Sequence, residues 1–576
     1  MKKILRALPL CILALIMVCL SAQPAQAAKH TDFTFMPDYY NKPIYNDGYY
    51  TYVIESGEAY IVSVDRSISG HVMIPSQLGG YPVAFVYGGS FRSCVNVTEA
   101  TFPDSVVTIG FNCFENCTAL KTVNLGQNVT TFVGRAFAGC TSLTTVNWGP
   151  KVQKIGRENF YGCTSLTSIT IPDTVTVMER NMFYKCENLE TVKLSENLTT
   201  IPEALFDSCT KLKSCVIPDS AQEIERYAFE DCSSLESVVI GSNVNSIGIY
   251  AFSECTSLTT VTMNEKIETI GNYAFRNCEK LQSIVIPDTT TDIGDQAFEG
   301  CISMTTATLG NSVQRIGVCA FEGCKALTEI VIPDSVTTIE RLAFQKCSGM
   351  KKVTVGANVK KIDFQAFQYC SALEEINIPN GVTYLGQEAF FGCSGAKSLT
   401  IGTGITELPT KIFYNCSSLE NVSIGAGLLT IGEQAFTGCE SLKAFTVAEA
   451  NPNFSADSTG VLFNKDQTRL IQAPGDLLVY ATPCMVALME GAACEAIADA
   501  LSDTQTTVGT MLNIEHISAT PVGLEVRAEA EVTAVEGKVI TFTVTAFDEA
   551  GEIGKGTHKR VIVNSQKFLD KAYNKL

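Results

Sequence analysis

The sequence predicts a mainly β solenoid of stacked 23-residue repeats, followed by a smaller C-terminal α+β domain. Cysteine recurs every 23 residues, without one insertion, from Cys94 to Cys439. Phenylalanine stands three residues before each of these cysteines, and leucine most often stands three residues after. A fixed period of about 20–29 residues with one short β-segment per unit is typical of a solenoid. The period ends after Cys439, and residues 475–576 carry a different pattern of one apolar helix and several strands.

Composition excludes two broad classes of protein. The chain has 576 residues, of which 46% are apolar and 18% are charged, so there is enough apolar material for a core and disorder is not expected. Sixty acidic residues stand against 42 basic ones, giving a net charge of −18. Nucleic-acid binding needs clustered Lys and Arg, and an acidic surface is repelled by anionic membranes. We therefore expect neither a nucleic-acid partner nor an electrostatic membrane partner.

Residues 1–27 have the pattern of a bacterial signal peptide. Lys2 and Lys3 open a short basic start, and the apolar run Leu8–Leu20 is too short for a membrane span of about 20 residues. Ala25 and Ala27 supply the small residues of a cleavage site. The interpretation is cleavage after Ala27 and a secreted or cell-surface protein without a transmembrane segment. An uncleaved anchor is the alternative.

One repeat explains the stacking. In Leu281–Pro287 apolar residues alternate and proline follows, which predicts a short parallel strand that proline ends. Neighbouring turns then lie about 4.8 Å apart, so identical residues form ladders. Adjacent ladder cysteines are close enough for a disulfide, but parallel side chains disfavour its geometry, and no CxxC or Cys–His pattern indicates zinc. The cysteines are interpreted as small buried core residues, and no metal site is expected.

These repeats resemble the BspA-like bacterial surface leucine-rich repeat proteins, on the pattern Ala-Phe-x-x-Cys-x-x-Leu-x-x-Val-x-Ile-Pro over residues 45–474. The resemblance implies a β-rich N-terminal cap at 28–90, a solenoid of 16 turns at 91–447 and a closing hairpin at 448–474. It also implies a scaffold for adhesion to a host or matrix protein or a glycan.

The outward strand positions give that binding hypothesis limited support. Small hydroxyl residues dominate one row, and the next row mixes Asn, Thr and Val, with few aromatic or Arg anchors of the kind that form binding hot spots. A solvated sheet face and a surface for a polar ligand that binds through many weak contacts both remain open. The first row contains Thr122, Thr145, Ser168, Thr191, Ser214, Ser237, Thr260, Ser283 and Thr306.

Residues 475–576 predict a second domain. Thr482 and Pro483 have the types favoured at the N-cap and the first position of a helix, and the mostly apolar segment to Leu501 continues that helix. Four strands and a short helix from Gln566 are predicted to follow. One helix wrapped by an antiparallel sheet is the hotdog arrangement. The predicted strands are Thr506–Ile517, Leu524–Val535, Lys538–Phe547 and Thr557–Val563.

The motifs of this domain resemble the hotdog thioesterases related to fluoroacetyl-CoA thioesterase. They include Ala-Thr-Pro, Leu-Met-Glu, Val-Gly-Thr, His-Ile-Ser-Ala-Thr-Pro and Gly-Thr-His-x-Arg, in that order. The resemblance implies a thioester hydrolase with acyl-CoA as substrate and no cofactor. It implies catalytic roles for Thr482, Glu490 and His516, and substrate-binding roles for Gly509 and Arg560.

The residue types suit this chemistry. Glu490 on an apolar helix needs a charged partner or a raised pKa, and His516 is the expected partner and general base. Thr482 would attack the thioester or position water. Amides at the helix start and at Gly509 would receive the oxyanion. The alternative gives Thr482 a capping role only, and leaves Glu490 and His516 as ordinary helix and strand residues.

The resemblance has two gaps. Asp476 stands where the fluoroacetyl-specific enzyme has an aromatic residue, so fluoroacetate selectivity is not implied. The first strand of the fold has no match either, and the domain would lack it or borrow Val461–Phe463 or Leu470–Ile471. Hotdog domains commonly pair, so a homodimer through 475–576 is expected. The alternatives to a binding scaffold with a thioesterase-like domain are an active hydrolase with appended repeats, or a gene fusion with an inactive hotdog.

Overall fold

The computed structural model describes residues 41–458, 460–466, 470–472, 482–502, 504–518, 526–565 and 567. The chain divides into two compact units, Met1–Pro474 and Gly475–Leu576. The predicted signal peptide and nearly all of the predicted C-terminal helix lie outside the described residues. Within these ranges, no helix has both the length and the apolar character needed to cross a membrane.

The first unit is the predicted β-solenoid, with about 17 turns at about 23-residue spacing. Each turn carries a longer strand on one side and a two-residue strand on the other, and equivalent strands of successive turns pair in parallel, as in Thr269 with Asp292. The longer strands are Val97–Thr101, Thr122–Asn124, Thr145–Asn147, Ser168–Thr170, Thr191–Lys193, Ser214–Val216, Ser237–Val239, Thr260–Thr262, Ser283–Val285, Thr306–Thr308, Glu329–Val331, Lys352–Thr354, Glu375–Ile378, Ser398–Ile401, Asn421–Ile424 and Ala444–Val447. The short strands are Thr108–Ile109, Thr131–Phe132, Lys154–Ile155, Val177–Met178, Thr200–Ile201, Glu223–Ile224, Ser246–Ile247, Thr269–Ile270, Asp292–Ile293, Arg315–Ile316, Thr338–Ile339, Lys361–Ile362, Tyr384–Leu385, Glu407–Leu408 and Thr430–Ile431.

The N-terminal segment both caps the array and adds a turn. Gly70–Met73 pairs in parallel with Val97–Thr101, so it acts as a further strand of the row. The expectation of 16 turns missed it because this turn lacks the Phe and Cys of the repeat, although Val72-Met-Ile-Pro75 keeps the strand pattern. The strands of this segment are Ile44–Asp47, Tyr50–Glu55, Glu58–Val64, Gly70–Met73, Gln77–Leu78 and Tyr81–Val86.

The Phe and Cys ladders are confirmed as core. The rings of Phe275 and Phe298 are stacked with centroids 5.3 Å apart and planes at 2°, and the ladder continues in both directions. Every ladder cysteine from Cys117 to Cys439 places its Sγ on the carbonyl oxygen of the phenylalanine 26 residues earlier, as Cys301 does on Phe275 at 3.2 Å. The S–H group thereby donates a hydrogen bond between turns, which the sequence interpretation did not foresee.

Burial makes these thiols chemically inert. The described cysteines are free, and the ladder members are buried. Burial raises the pKa of the Cys370 thiol from its ordinary value of 9.0 to about 12. Since the thiolate is the reactive form, the ladder is structural.

The array closes on a three-stranded antiparallel sheet of Phe454–Ala456, Leu462–Asn464 and Leu470–Gln472. Phe454 and Leu462 are buried in the core of the array. Residues 461–463 and 470–471, one of the two alternatives for the missing hotdog strand, pair with one another in this closing sheet of the first unit.

The second unit packs one helix on a four-stranded antiparallel sheet, counted over its described residues. Helix α1 spans Thr482–Glu495, and a 3-10 turn follows at Ala498–Ala500. The strands are β1 (Gln505–His516), β2 (Arg527–Glu536), β3 (Val539–Asp548) and β4 (Gly551–Asn564), and their order in the sheet is β1-β4-β3-β2.

Two predicted boundaries in this unit are wrong. The helix ends at Glu495 rather than Leu501, because Ile497 leaves helical geometry (φ −123°, ψ 3°) and buries its side chain under the sheet. Strand β4 begins at Gly551 rather than Thr557. Gly554 and Gly556 lie within the strand, and an added Cβ would clash with Met485 of α1 at the first and with Ile514 of β1 at the second.

Candidate functional site

Glu490 stands at the edge of the helix–sheet core of the second unit. It follows Met489, which is fully buried against the sheet, while its own side chain is 44% exposed. Its Oε1 lies 3.6 Å from Nε2 of His558 and 3.8 Å from Nη1 of Arg560. The carboxylate therefore faces buried nitrogen groups on one side and solvent on the other.

His558 and Arg560 come from β4. They are alternate residues of that strand, so both project toward the same face of the sheet. Both are buried, and they pair across the ladder with Leu512 and Gly509 of β1. The strand alternation thus brings an imidazole and a guanidinium to the same helix residue.

Gly509 leaves the space that this arrangement needs. A Cβ at this position would lie 2.7 Å from Oε1 of Glu490 and 3.1 Å from Cε1 of His558. The register of β1 also shifts between Gly509 and Met511. Such a bulge bends the strand and re-aims its side chains, and bulges are frequent beside active sites.

Arg560 is a fixed cation rather than a mobile one. Its Nε donates to Oγ1 of Thr507 at 2.9 Å and its Nη2 donates to the Thr507 carbonyl at 3.0 Å. Its Nη1 lies 2.9 Å from Nε2 of His558. Because a guanidinium stays charged in proteins, these contacts hold a permanent positive charge beside Glu490. The substrate-binding role of Arg560 stays a prediction.

Thr482 and His516 lie at the end of the helix–sheet contact that is away from Glu490. Thr482 is the first residue of α1, and its side chain lies outside what the structure describes. His516 is the exposed last residue of β1 and pairs with Gly554, against which Met485 of α1 packs. The start of α1 and the end of β1 therefore meet at one place.

The two histidines occupy different places along β1. His558 pairs with Leu512. Leu512 lies four residues before His516, which is about 13 Å along β1. The histidine that the structure places beside Glu490 is His558, and not the expected His516. The catalytic roles of Thr482 and His516, and the oxyanion role of the Gly509 amide, stay predictions.

His558 and Thr507 were missed as members of the site. His558 belongs to the Gly-Thr-His-x-Arg motif, and its two-residue spacing from Arg560 was the signal that both share a face. Thr507 had no such signal, because its partner Arg560 is 53 residues away in the chain. No group of three His, Cys, Asp or Glu in the described ranges is arranged to hold a metal ion.

A second candidate surface is the row of longer strands in the array. Its outward side chains are exposed, including Val216 at 65%, Val285 at 63% and Val331 at 61%. The hydroxyl row beside them contains Ser214, Ser283 and other small residues that are also exposed. Between residues 214 and 308 the exposed β-branched and hydroxyl side chains form an uncharged stripe, whereas beyond it the same rows carry Lys193, Glu329, Lys352 and Glu375.

Two family descriptions match the two units. The BspA type leucine-rich repeat region matches in overlapping segments at residues 85–213, 134–258, 245–374 and 360–458. The fluoroacetyl-CoA-specific thioesterase family matches residues 465–566.

Individual proteins give the same division. The fluoroacetyl-CoA thioesterase of Streptantibioticus cattleyicolor is 41% identical over 97 residues, which is 17% of this chain and 70% of that protein. A solved structure of a fluoroacetyl-CoA thioesterase is 41% identical over 17% of this chain and 73% of its own, with a TM-score of 0.17. A leucine-rich repeat protein from Bacteroides ovatus is 27% identical, with a TM-score of 0.50 over 70% of this chain and 94% of that one.

Proposed function

Because the chain belongs to the BspA-type leucine-rich repeat proteins and its C-terminal domain belongs to the fluoroacetyl-CoA-specific thioesterase family, we propose that it is an acyl thioester hydrolase attached to a repeat scaffold. The observation that carries the proposal is the placement of Glu490 between solvent and the buried pair His558 and Arg560. A carboxylate fixed beside buried donors and open to solvent can orient an attacking water or a base.

The proposed reaction is hydrolysis of a short acyl-CoA. Water adds to the thioester carbonyl, the C–S bond breaks, and the thiolate takes up the proton that the water loses. His516 would accept and return that proton, with Thr482 positioning the attacked carbonyl or the water. The Gly509 amide would stabilise the oxyanion. Within one chain Glu490 and Gly509 lie away from Thr482 and His516, so the proposed site takes the first pair from one chain and the second pair from its partner in a homodimer. Asp476 offers no aromatic contact to a fluoroacetyl group, so selectivity for fluoroacetate is not part of the proposal.

The proposal is tested by release of CoA thiol from a panel of short acyl-CoAs with the full-length chain. His516→Ala and Thr482→Ala should each lower kcat by about a hundredfold or more, as loss of a proton-transfer or nucleophilic group does. His71→Ala is the matched control, because His71 lies in the first unit. Equal rates for the wild type and His516→Ala would refute the assignment.

A second function, binding through the array, is favoured by the uncharged stripe of the longer strands. We assign this surface to a polar ligand, a glycan or a host or matrix protein, held by many small contacts. A protein with a cleaved leader at 1–27 would display it outside the cell, secreted or on the surface.

Binding is tested with the full chain on immobilised glycans and matrix proteins. Val216→Lys, Val239→Lys and Val285→Lys together should abolish binding, because long charged side chains then cover the stripe. Ile249→Lys and Ile302→Lys are the control, since both residues are exposed but lie outside the longer strands. Absence of binding by the wild type, or equal loss in both variants, would exclude this surface.

A homodimer through the second unit is also proposed. Strand β1 is an edge of the sheet in the described residues, with β4 on its other side, and it is 12 residues long. An open edge of this length presents backbone groups that another strand can pair with. Light scattering after gel filtration should give twice the chain mass, and a monomer mass would contradict the proposal.

A further inference from the structure

We infer that His558 is a positioning residue, held as the neutral Nδ1–H tautomer, which fixes Arg560 against Glu490. The inference deepens the proposed function, since it concerns the same carboxylate. It rests on three contacts of the imidazole and on its complete burial.

The hydrogen-bond partners decide the tautomer. Nδ1 of His558 lies 2.9 Å from the carbonyl oxygen of Met511, which can only accept, so Nδ1 carries the proton. Nε2 lies 2.9 Å from Nη1 of Arg560, which can only donate, so Nε2 offers its lone pair. Both ring nitrogens are then satisfied by a neutral imidazole.

Distances argue against an imidazolium paired with the carboxylate. The Arg560 contact is at 2.9 Å, whereas Nε2 is 3.6 Å from Glu490 Oε1, beyond ordinary hydrogen-bond length. A proton on Nε2 would point at the N–H group of Arg560, whose nitrogen is only 2.9 Å away, and two donors would then face each other. The charge that compensates Glu490 is therefore the guanidinium, and the imidazole directs it.

Thr507 supplies the second anchor of this arrangement. Its hydroxyl and carbonyl accept from Nε and Nη2 of Arg560, while His558 accepts from Nη1. The guanidinium is thus held from opposite sides, which fixes both its place and its plane. A charge that is fixed in advance in this way acts mainly on the charge that develops in the transition state, and less on binding of the substrate.

Two matched pairs of variants test the kinetic consequence in the full-length chain. His558→Leu and Thr507→Val each remove an acceptor for Arg560, whereas His558→Gln and Thr507→Ser keep an oxygen acceptor near the same place. Loss of an acceptor for a charged donor should lower kcat about tenfold to a hundredfold with KM within about threefold. The conservative variants should lose less than about fivefold. Wild-type kcat in His558→Leu and Thr507→Val, or equal losses in both members of each pair, would overturn the inference.

A spectroscopic readout separates this inference from the hydrolase proposal. The chain has four histidines, so selective ¹⁵N-histidine labelling with His558→Gln as the assignment control isolates the His558 signals. A protonated Nδ1 and an unprotonated Nε2 are expected, and a protonated Nε2 would overturn the inference. If the wild type hydrolyses no thioester, the hydrolase proposal fails while the tautomer measurement still decides this one.

Discussion

The two units obtain their structure in opposite ways. In the array each contact recurs one turn later, so Phe275 stacks on Phe298 and Cys301 donates to Phe275 in the same way as their equivalents along the ladder. In the second unit the contacts of Glu490, His558 and Arg560 occur once. Repetition spreads stability over many equal parts, whereas a chemical site needs one environment that nothing else in the chain shares.

Their polar groups differ in the same sense. The array buries thiols whose pKa is raised by burial, and several of its ion pairs, such as Lys213 with Glu190, bridge one turn to the next. The second unit buries a guanidinium and an imidazole beside a half-exposed carboxylate. The first arrangement removes reactivity, and the second sets charged groups where solvent can reach them.

The largest expected effect on stability comes from interrupting the phenylalanine ladder. Phe298→Ala removes a fully buried ring that stacks on both neighbours, and should lower the free energy of unfolding of the array by about 3–5 kcal/mol. Urea unfolding measures it. Phe364→Ala is the control, because Phe364 is 38% exposed and should cost less than about 1 kcal/mol. Equal costs would show that the ladder is not the source of stability.

The next effect separates activity from stability in the second unit. Gly509→Ala would push the end of the Glu490 side chain away from His558, and we expect hydrolysis to fall about tenfold to a hundredfold while the thermal midpoint stays within a few degrees. Gly491→Ala, on the same helix and with open space around it, should keep the rate and slightly stabilise the helix. A fully active Gly509→Ala would contradict the close fit.

A smaller effect compares thiols of the two units. Cys301→Ala removes a buried side chain and its hydrogen bond to Phe275, and should cost about 1–2 kcal/mol in chemical unfolding. Cys494 of α1 is exposed, and Cys494→Ala should change stability by less than about 0.5 kcal/mol. If Cys301→Ala unfolded at the same denaturant concentration as the wild type, the hydrogen bond would not contribute to stability.

The smallest effect depends on pH. Burial, with the charges of Asp207, Asp231 and Glu254, raises the pKa of Glu230 from 4.5 to about 7. A raised folded-state pKa stabilises the fold below pH 4.5 and this stabilisation is lost as the pH rises through 7. Glu230→Gln should therefore raise the thermal midpoint at pH 8 relative to the wild type, with the gap closing toward pH 5. Glu190→Gln should act oppositely, because Lys213 lowers the pKa of Glu190; the same trend in both variants would contradict this sign.

Periodicity made the array predictable to the single residue. The 23-residue period places Phe298 and Cys301 in the core without any knowledge of tertiary contacts. It gave no warning of the turn at Gly70–Met73, whose offset to Ala100 and its neighbours is longer than 23 residues. It also gave no sign that each thiol donates to the preceding turn, since this depends on the path of the backbone around Phe275.

The second unit was predictable only through resemblance and local pattern. Strands β1 and β3 lie close to their predicted bounds, but β4 begins at Gly551 rather than Thr557, and Gly554 in this added part leaves room for Met485 of α1. The motif brought Glu490, Gly509 and Arg560 into the candidate site. The choice between His516 and His558 as neighbour of Glu490 depends on strand register, which neither motif order nor composition contains.

The most direct test of the account is the rate of acyl-CoA hydrolysis by Glu490→Gln beside Glu495→Gln in the full-length chain. Both residues lie on α1, and of the two only Glu490 contacts His558 and Arg560. The account predicts a loss of about a hundredfold or more for Glu490→Gln with an unchanged thermal midpoint, and a wild-type rate for Glu495→Gln. Equal rates in the two variants would show that the Glu490 cluster does not carry the chemistry.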